Sequence, residues 1–251
     1  MKLPTVDVCF TPREIGPVEV AVVVDVLRAT STVVQAMAAG YPSVVCCSSV
    51  ATARDLRAAG RVLAGESACV RVPDFDLGNS PTAMATAGRR GEELVLATTN
   101  GSPAVVAAAR HAERVLVACL LNLRAVLATV PADVDVAIVC AGTNGRPALE
   151  DVYVAGRLVA GLDGVPSDAR VAERVASGYE TPLEALAASE DAAQLRVTDQ
   201  ERDIAWCARE SVVDIVPEVW SVRDGASVVS PANDGYRWKS MKVRERFACF
   251  F

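Results

Sequence analysis

Histidine is nearly absent from this chain of 251 residues: His111 is the only one, and it follows an alanine-rich helical stretch. Acid–base chemistry built on an imidazole therefore has little to draw on. His111 is expected to be a solvated helix-end residue, favoured there by the helix dipole. Aromatic residues make up only 5%, which suits layered packing of valine and alanine better than an aromatic-rich sandwich. CxxC pairs are missing among the eight cysteines (Cys9, Cys46, Cys47, Cys69, Cys119, Cys140, Cys207 and Cys249). With a single histidine, this excludes the usual zinc arrangements. Most of these thiols lie in apolar, strand-like surroundings as small hydrophobes, and no disulfide framework is expected. No apolar run approaches the ~18 residues that span a bilayer. The start, MKLPTVDVCF, lacks the apolar core and cleavage site of a secretion signal, so a cytoplasmic protein without a membrane partner is expected. Positive charge is also short, 25 Lys and Arg against 31 Asp and Glu, for a formal net charge of −6. That argues against nucleic acid as a partner but not against a local anion site.

What is present is organised around Val18 to Thr32, VEVAVVVDVLRATST. Its dense β-branched run fits a strand buried on both faces, as in a parallel sheet covered by helices. Asp25 ends the run and Arg28 follows. A helix is expected next, with Thr30 or Ser31 as N-cap and Gly40 as its stop. Ligands of open α/β sheets bind at the carboxyl ends of strands. A carboxylate and a guanidinium beside a helix start at that edge suggest a metal-assisted anion site. The plainer alternative is an Asp–Arg pair that only orders the loop.

The chain continues as alternating strands and helices, the rhythm of βαβ units. Strands are expected at Val6 to Phe10, Ser43 to Cys47, Arg61 to Ala64, Leu94 to Thr98, Arg114 to Cys119 and Val134 to Cys140. The fold class expected is a three-layer α/β/α arrangement on a mostly parallel or mixed sheet, with helical additions in the C-terminal third. Residues 1–164 would form the core carrying the motif loops. Residues 165–251 would form a helix-rich second lobe with a last strand at Val212 to Val216 and a basic tail, or continue one domain. In that region Leu183, Leu186 and Ala187 make one expected buried face, and Ile204, Ala205 and Ala208 another. The tail's apolar end could dock on the body, mediate homodimer contact or fray.

Two junctions echo one another: LVLATTNGSPA and AIVCAGTNGRPA each run from a strand through Thr-Asn-Gly toward a helix. Between regular elements, VRVPDFDLGNSP has no helical period, and function concentrates in such loops. Polar residues at expected carboxyl ends are Asp25 with Arg28, Glu66, Asp76 with Asn79 and Ser80, Asn100 with Gly101 and Ser102, Asn144 with Arg146, and Glu150 with Asp151. Hard carboxylate oxygens suit Mg²⁺, whereas arginines, amides and helix-start N–H groups suit phosphate. The set points to metal-dependent phosphoryl chemistry on a small anionic phosphate ester.

The segments VVVDVLRATST, GES followed by FDLGNSP, LATTNGSPA and IVCAGTNGRPALEDVYVAG resemble, in order, the motifs of the 2-phosphosulfolactate phosphatase family. A weaker likeness runs through DIAWCARESVVDIVPEV. The resemblance implies an α/β/α, Mg²⁺-dependent hydrolase that converts 2-phosphosulfolactate to 3-sulfolactate, a step of coenzyme M biosynthesis. Asp25, Arg28, Glu66, Asp76, Asn79, Ser80, Asn100, Gly101, Glu150 and Asp151 fall in the matching motifs. Residue chemistry suggests Mg²⁺ on some of Asp25, Glu66 and Asp151, with Glu150 as base or water-orienting group. Arg28 and Arg146 would balance substrate charge, and Asp25 is an alternative covalent nucleophile. The chain departs from the family pattern in the Ser-Pro after TTNG and beyond Gly164.

Two other readings stay open. Cys140 and Arg146 have the C-x5-R spacing of cysteine-dependent phosphatases, in which a thiolate attacks phosphorus, although Val139 stands where those enzymes carry histidine. The same anion-binding turns could also serve a non-catalytic binder of a phosphorylated or dicarboxylic metabolite.

Overall fold

The computed structural model describes residues 4–87, 91–162, 169–223 and 225–232. The Val18–Val24 run forms β2, and its side chains alternate between two cores: Ala21 and Val23 pack to one side, Val22 and Val24 to the other. That is the burial on both faces expected of so apolar a strand. β1 (Val6–Cys9), β8 (Val136–Cys140), β2 and β7 (Ala112–Ala118) lie side by side and parallel. β3 (Val44–Cys47), β6 (Glu93–Ala97) and β4 (Arg61–Ser67) form a second parallel set, edged by the two-residue β5 (Val70–Arg71). A hairpin of β9 (Pro217–Arg223) and β10 (Ala226–Pro231) joins the sets through antiparallel contacts. Among the described residues this makes one mixed sheet of ten strands.

Three successive antiparallel steps reverse direction, so the two parallel sets run in opposite senses. In a flat sheet the carboxyl ends of β2 and β6 would lie at opposite edges. A sheet twists by ~20–25° per strand, and the five steps from β2 to β6 accumulate roughly 100–125°. The sheet thereby coils around α1 (Ala29–Ala38), α3 (Pro81–Ala87) and α4 (Gly101–Ala108), whose apolar residues share one core with nine strands. The outer face carries two separate cores. α5 (Leu123–Thr129), α6 (Leu149–Gly161), α7 (Ala169–Ala176), α8 (Pro182–Ala187), α9 (Glu190–Val197) and α10 (Arg202–Cys207) cover the first strand set. α2 (Val50–Asp55) and the Val72–Phe75 loop cover the second. The three-layer α/β/α class expected from the sequence is the one observed.

Several local expectations change. The helix after β2 starts at Ala29, two or three residues earlier than a Thr30 or Ser31 cap would place it. Val212 to Val216 is not a strand. Ser211, Val212 and Val213 donate backbone bonds to the Leu120 and Leu121 carbonyls, and strand pairing begins only at Pro217. Leu186 is fully buried, but Leu183 is 48% exposed. α10 buries Ile204 and Cys207 while Ala205 faces outward, a stripe one step away from the expected one. His111 is exposed at the end of α4, as expected. The basic tail and Cys249 lie outside the described residues.

Candidate active site

Asp25 follows β2 and caps the helix behind it. Its Oδ1 accepts the Ala29 N–H at 2.8 Å, and its backbone carbonyl accepts the Thr30 N–H at 2.9 Å and the Thr30 hydroxyl at 2.8 Å. Thr30 thus serves Asp25 instead of capping the helix itself. From the other parallel set, Gly101 begins α4 against the same carboxylate: a Cβ there would collide with Asp25 Oδ2 and with Ala29. Asp25 therefore lies between two helix N-termini, which favour negative charge. Burial nevertheless dominates. It pushes the Asp25 carboxyl up to about 7, helped by Asp191 and Glu66 and opposed by the Ala29 N–H and Arg28.

Asp151, in the first turn of α6, accepts the Val26 N–H through Oδ1 at 2.9 Å and the Gly142 N–H through Oδ2 at 3.0 Å. It fastens the turns after β2 and β8 to one another. Burial and the Asp25 charge push its carboxyl well up against the pull of those two N–H groups. Its neighbour Glu150 is also pushed well up, by burial, then by Asp151 and Asp191, and it shares a side-chain hydrogen bond with Asp191. Glu66 ends the buried part of β4. Its Oε1 accepts the Thr99 N–H at 2.7 Å and its Oε2 the Cys69 N–H at 2.8 Å, which fastens the GES turn to the TTNG turn.

Asp25, Glu66 and Asp151 thus share one electrostatic neighbourhood without forming a cage. Among the described residues no group of three His, Cys, Asp or Glu side chains is arranged to hold a metal ion. Glu66 and Asp151 spend both oxygens on backbone donors, whereas Asp25 holds only Oδ1 that way.

The two Thr-Asn-Gly turns meet, although their shapes differ. Asn100 stands at the N-cap of α4 with φ −119°. Asn144 is left-handed at φ 54° and Gly145 at φ 75°. Thr143 and Arg146 exchange backbone bonds of 2.9 and 3.0 Å around them. The second turn is therefore a tight reversal, and α6 begins only at Leu149. The Asn144 N–H points to Asn100 Oδ1 at 3.4 Å, joining the turns at the mouth of the site.

Other candidates stand apart. Asp76 is exposed and accepts the Leu63 N–H at 2.9 Å, a structural bond to β4. Ser102 is buried and bonds to Thr98 and the Leu96 carbonyl, so it shapes the turn. Asn79 is buried with its Oδ1 unpartnered. Ser80 donates to Asp203 at 2.9 Å. Cys140 is fully buried in β8, and burial together with Asp151, Cys9, Glu14 and Glu150 pushes its thiol well above its ordinary value. Arg146 is exposed on the tight turn. This is the opposite of the electropositive setting that makes a thiolate.

Sequence reasoning missed three residues. Asp191, in the first turn of α9, accepts the Thr143 hydroxyl at 2.6 Å and adds its charge to Asp25, Glu150 and Asp151. In the sequence it looks like an ordinary acidic helix start. Asp203 pairs with Arg28 at 2.7 Å, both buried, and also accepts from Ser80 and Thr82. It opens the DIAWCARES segment, so a signal for it was present. Gln200 accepts from Arg28 and donates to the Cys69 carbonyl at 2.8 Å.

A crowd of buried carboxylates at converging strand ends, beneath polar turns and helix starts, defines an α/β enzyme site. The family model described as 2-phosphosulpholactate phosphatase matches residues 9–221. A "Probable 2-phosphosulfolactate phosphatase" of Thermus thermophilus is 41% identical over 206 residues, 79% of this chain and 87% of that protein. Proteins of the same description from Thermotoga petrophila (37% identical; 84% of this chain, 94% of that one) and Deinococcus radiodurans (37%; 79% and 87%) match similarly. The chain belongs to the 2-phosphosulpholactate phosphatase family, and with it to the phosphoric monoester hydrolases.

Proposed function

We propose that this protein hydrolyses 2-phosphosulfolactate, or a closely related α-hydroxy acid phosphate, to the free hydroxy acid and phosphate. The observation that carries the reading is Asp25: a buried carboxylate between two helix starts, raised to about 7 by burial and surrounding acids, in a chain of this family. 2-Phosphosulfolactate is also the compound that the relatives described as "Probable 2-phosphosulfolactate phosphatase" are named for.

Mg²⁺ is the cation we propose for the site. Its habit is to take one or two carboxylates, keep waters and bridge to phosphate oxygens instead of filling an all-protein cage. Asp25 suits that role through Oδ2, which holds no backbone donor, and Glu150 and Asp191 would take bound waters. Glu66 and Asp151, with both oxygens on backbone donors, would hold the surrounding turns in place. When bound, the cation would offset the negative charge of the cluster and polarise phosphoryl oxygens. The Gly101 end of α4 faces the position a phosphate would occupy beside Asp25, and helix starts bind phosphate readily. Arg28 is held by Asp203 and Gln200, and it offsets charge on the acidic floor from that fixed position. The mechanism proposed is attack on phosphorus either by Asp25 or by a water oriented beside Glu150. A cytoplasmic place in coenzyme M synthesis belongs to the same proposal.

The test is phosphate release from 2-phosphosulfolactate after chelation and after return of Mg²⁺. Loss on chelation and recovery with Mg²⁺ is the expected result. Undiminished turnover by metal-free protein would overturn the Mg²⁺ assignment. Binding without turnover would overturn the hydrolase reading in favour of a metabolite binder.

A further inference from the structure

The floor of the site is acidic, yet the proposed substrate carries a carboxylate and a sulfonate besides the phosphate. Arg28 is not free to meet them, because its guanidinium is buried against Asp203 and Gln200. Two arginines without such a pairing lie at the mouth. Arg13 follows β1 on a short 3-10 turn, Pro12–Glu14, and is exposed. Its guanidinium lies over Gly145, at 3.5 to 3.9 Å from where a Cβ would stand. Arg146 is the next residue of that turn and is also exposed. Neither side chain has a salt bridge or side-chain hydrogen bond among the described residues, whereas Glu14, next to Arg13, is occupied by the Phe10 N–H and the Thr11 hydroxyl. Two arginines without a salt bridge therefore meet at one tight turn, the Arg13 guanidinium over Gly145 and Arg146 one residue further along the chain. The same turn touches Asn100 through Asn144, and Asn100 precedes the Gly101 that faces Asp25. The mouth and the floor are thus one chain step apart on α4.

We propose that Arg13, together with Arg146, forms the subsite for one of the two further anions of the substrate, the sulfonate or the carboxylate, and so determines specificity. The inference rests on the phosphatase reading above for its substrate. Guanidinium groups bind such planar or tripodal oxyanions through paired N–H donors. Gly145 fits the left-handed φ of 75° that this turn requires, and Arg13 lies in ordinary contact distance of it. Neutral-tailed phosphate esters would leave both cations unpaired and be disfavoured.

The experiment compares kcat/KM for 2-phosphosulfolactate, phospholactate and isopropyl phosphate in the full chain, Arg13→Gln and a control, Arg110→Gln. Arg110 is exposed just beyond the opposite end of α4. Arg13→Gln is expected to cut preference for the charged-tail esters over isopropyl phosphate about tenfold, the scale of one exposed charge-assisted contact, while the control holds it within about twofold. A change confined to phosphosulfolactate assigns the sulfonate, and one shared with phospholactate assigns the carboxylate. Equal losses on all three esters, or none, would overturn the subsite. Calorimetric binding of 3-sulfolactate separates this inference from its parent. If no ester is hydrolysed but Arg13→Gln still weakens sulfolactate binding about tenfold, the subsite stands and the hydrolase reading falls. Unchanged binding overturns the subsite.

Discussion

Asp25 concentrates the chemistry of the site and also its cost to stability. Its folded value of about 7 lies above the ordinary 3.8, so the native state prefers the protonated form. The associated stability is complete below the unfolded value and is lost as pH rises through about 7. In chelator, melting temperature is therefore expected to fall between pH 5 and pH 8. A shift of about three units corresponds to ~4 kcal/mol at most, shared with the coupled acids Glu150 and Asp151. Asp25→Asn should abolish turnover, by a factor of at least ~10³, yet raise the melting temperature at pH 8 and flatten its pH dependence. A variant less stable than the parent at pH 8 would contradict this account. The buried thiol of Cys140 makes the converse case. Cys140→Ser is expected to keep turnover within a few-fold, and its loss with the fold intact would restore the thiolate mechanism.

At the scale of elements, the site is a set of ties between turns. Asp151 joins the turns after β2 and β8, Glu66 those after β4 and β6, and Asp203 joins α10 to the Arg28 and Ser80–Thr82 segments. Removing one partner of a buried ion pair leaves the other charge uncompensated. Asp203→Asn is therefore expected to lower unfolding free energy by ~3–5 kcal/mol, measured by urea titration. A loss below ~1 kcal/mol would show that Arg28 finds another partner. Gly101 tests the packing between α4 and α1. Gly101→Ala drives a methyl into Asp25 Oδ2 and Ala29 Cβ, so turnover should fall by at least ~10², the cost of displacing a reacting group by about 1 Å. Near-parental activity would mean that α4 shifts freely.

At the scale of the molecule, the β9–β10 hairpin holds two oppositely directed parallel sets together, and the sheet's coiling brings their carboxyl ends to one place. Val229 is fully buried in the hairpin's inner face. A charge there has no partner in that apolar core and would cost several kcal/mol. Val229→Asp is expected to speed amide exchange in β3 and β6 as well as in β10, since their shared core is opened. Exchange confined to β10 would show that the hairpin is an ornament on an independently stable sheet.

Much of this was legible from local pattern. The valine run made β2 a doubly buried strand, the strand–helix alternation implied an α/β sheet, and Asp25, Glu66, Glu150 and Asp151 were marked by their position after apolar runs. Those features depend on near neighbours in the chain, and local physics decides them. Pairing across the sheet depends on distant segments. Nothing local in Pro217 to Pro231 says that it will join the two halves, or that the halves will run in opposite senses. The same holds for Asp191 and Asp203, which look like ordinary acidic residues at helix starts until α9 and α10 pack against the strand ends. The two Thr-Asn-Gly stretches read alike in sequence and fold differently, because one enters α4 directly while the other must reverse before α6. Residue chemistry was carried by the sequence alone. Which charges share a site, and which are already paired, was decided by long-range packing.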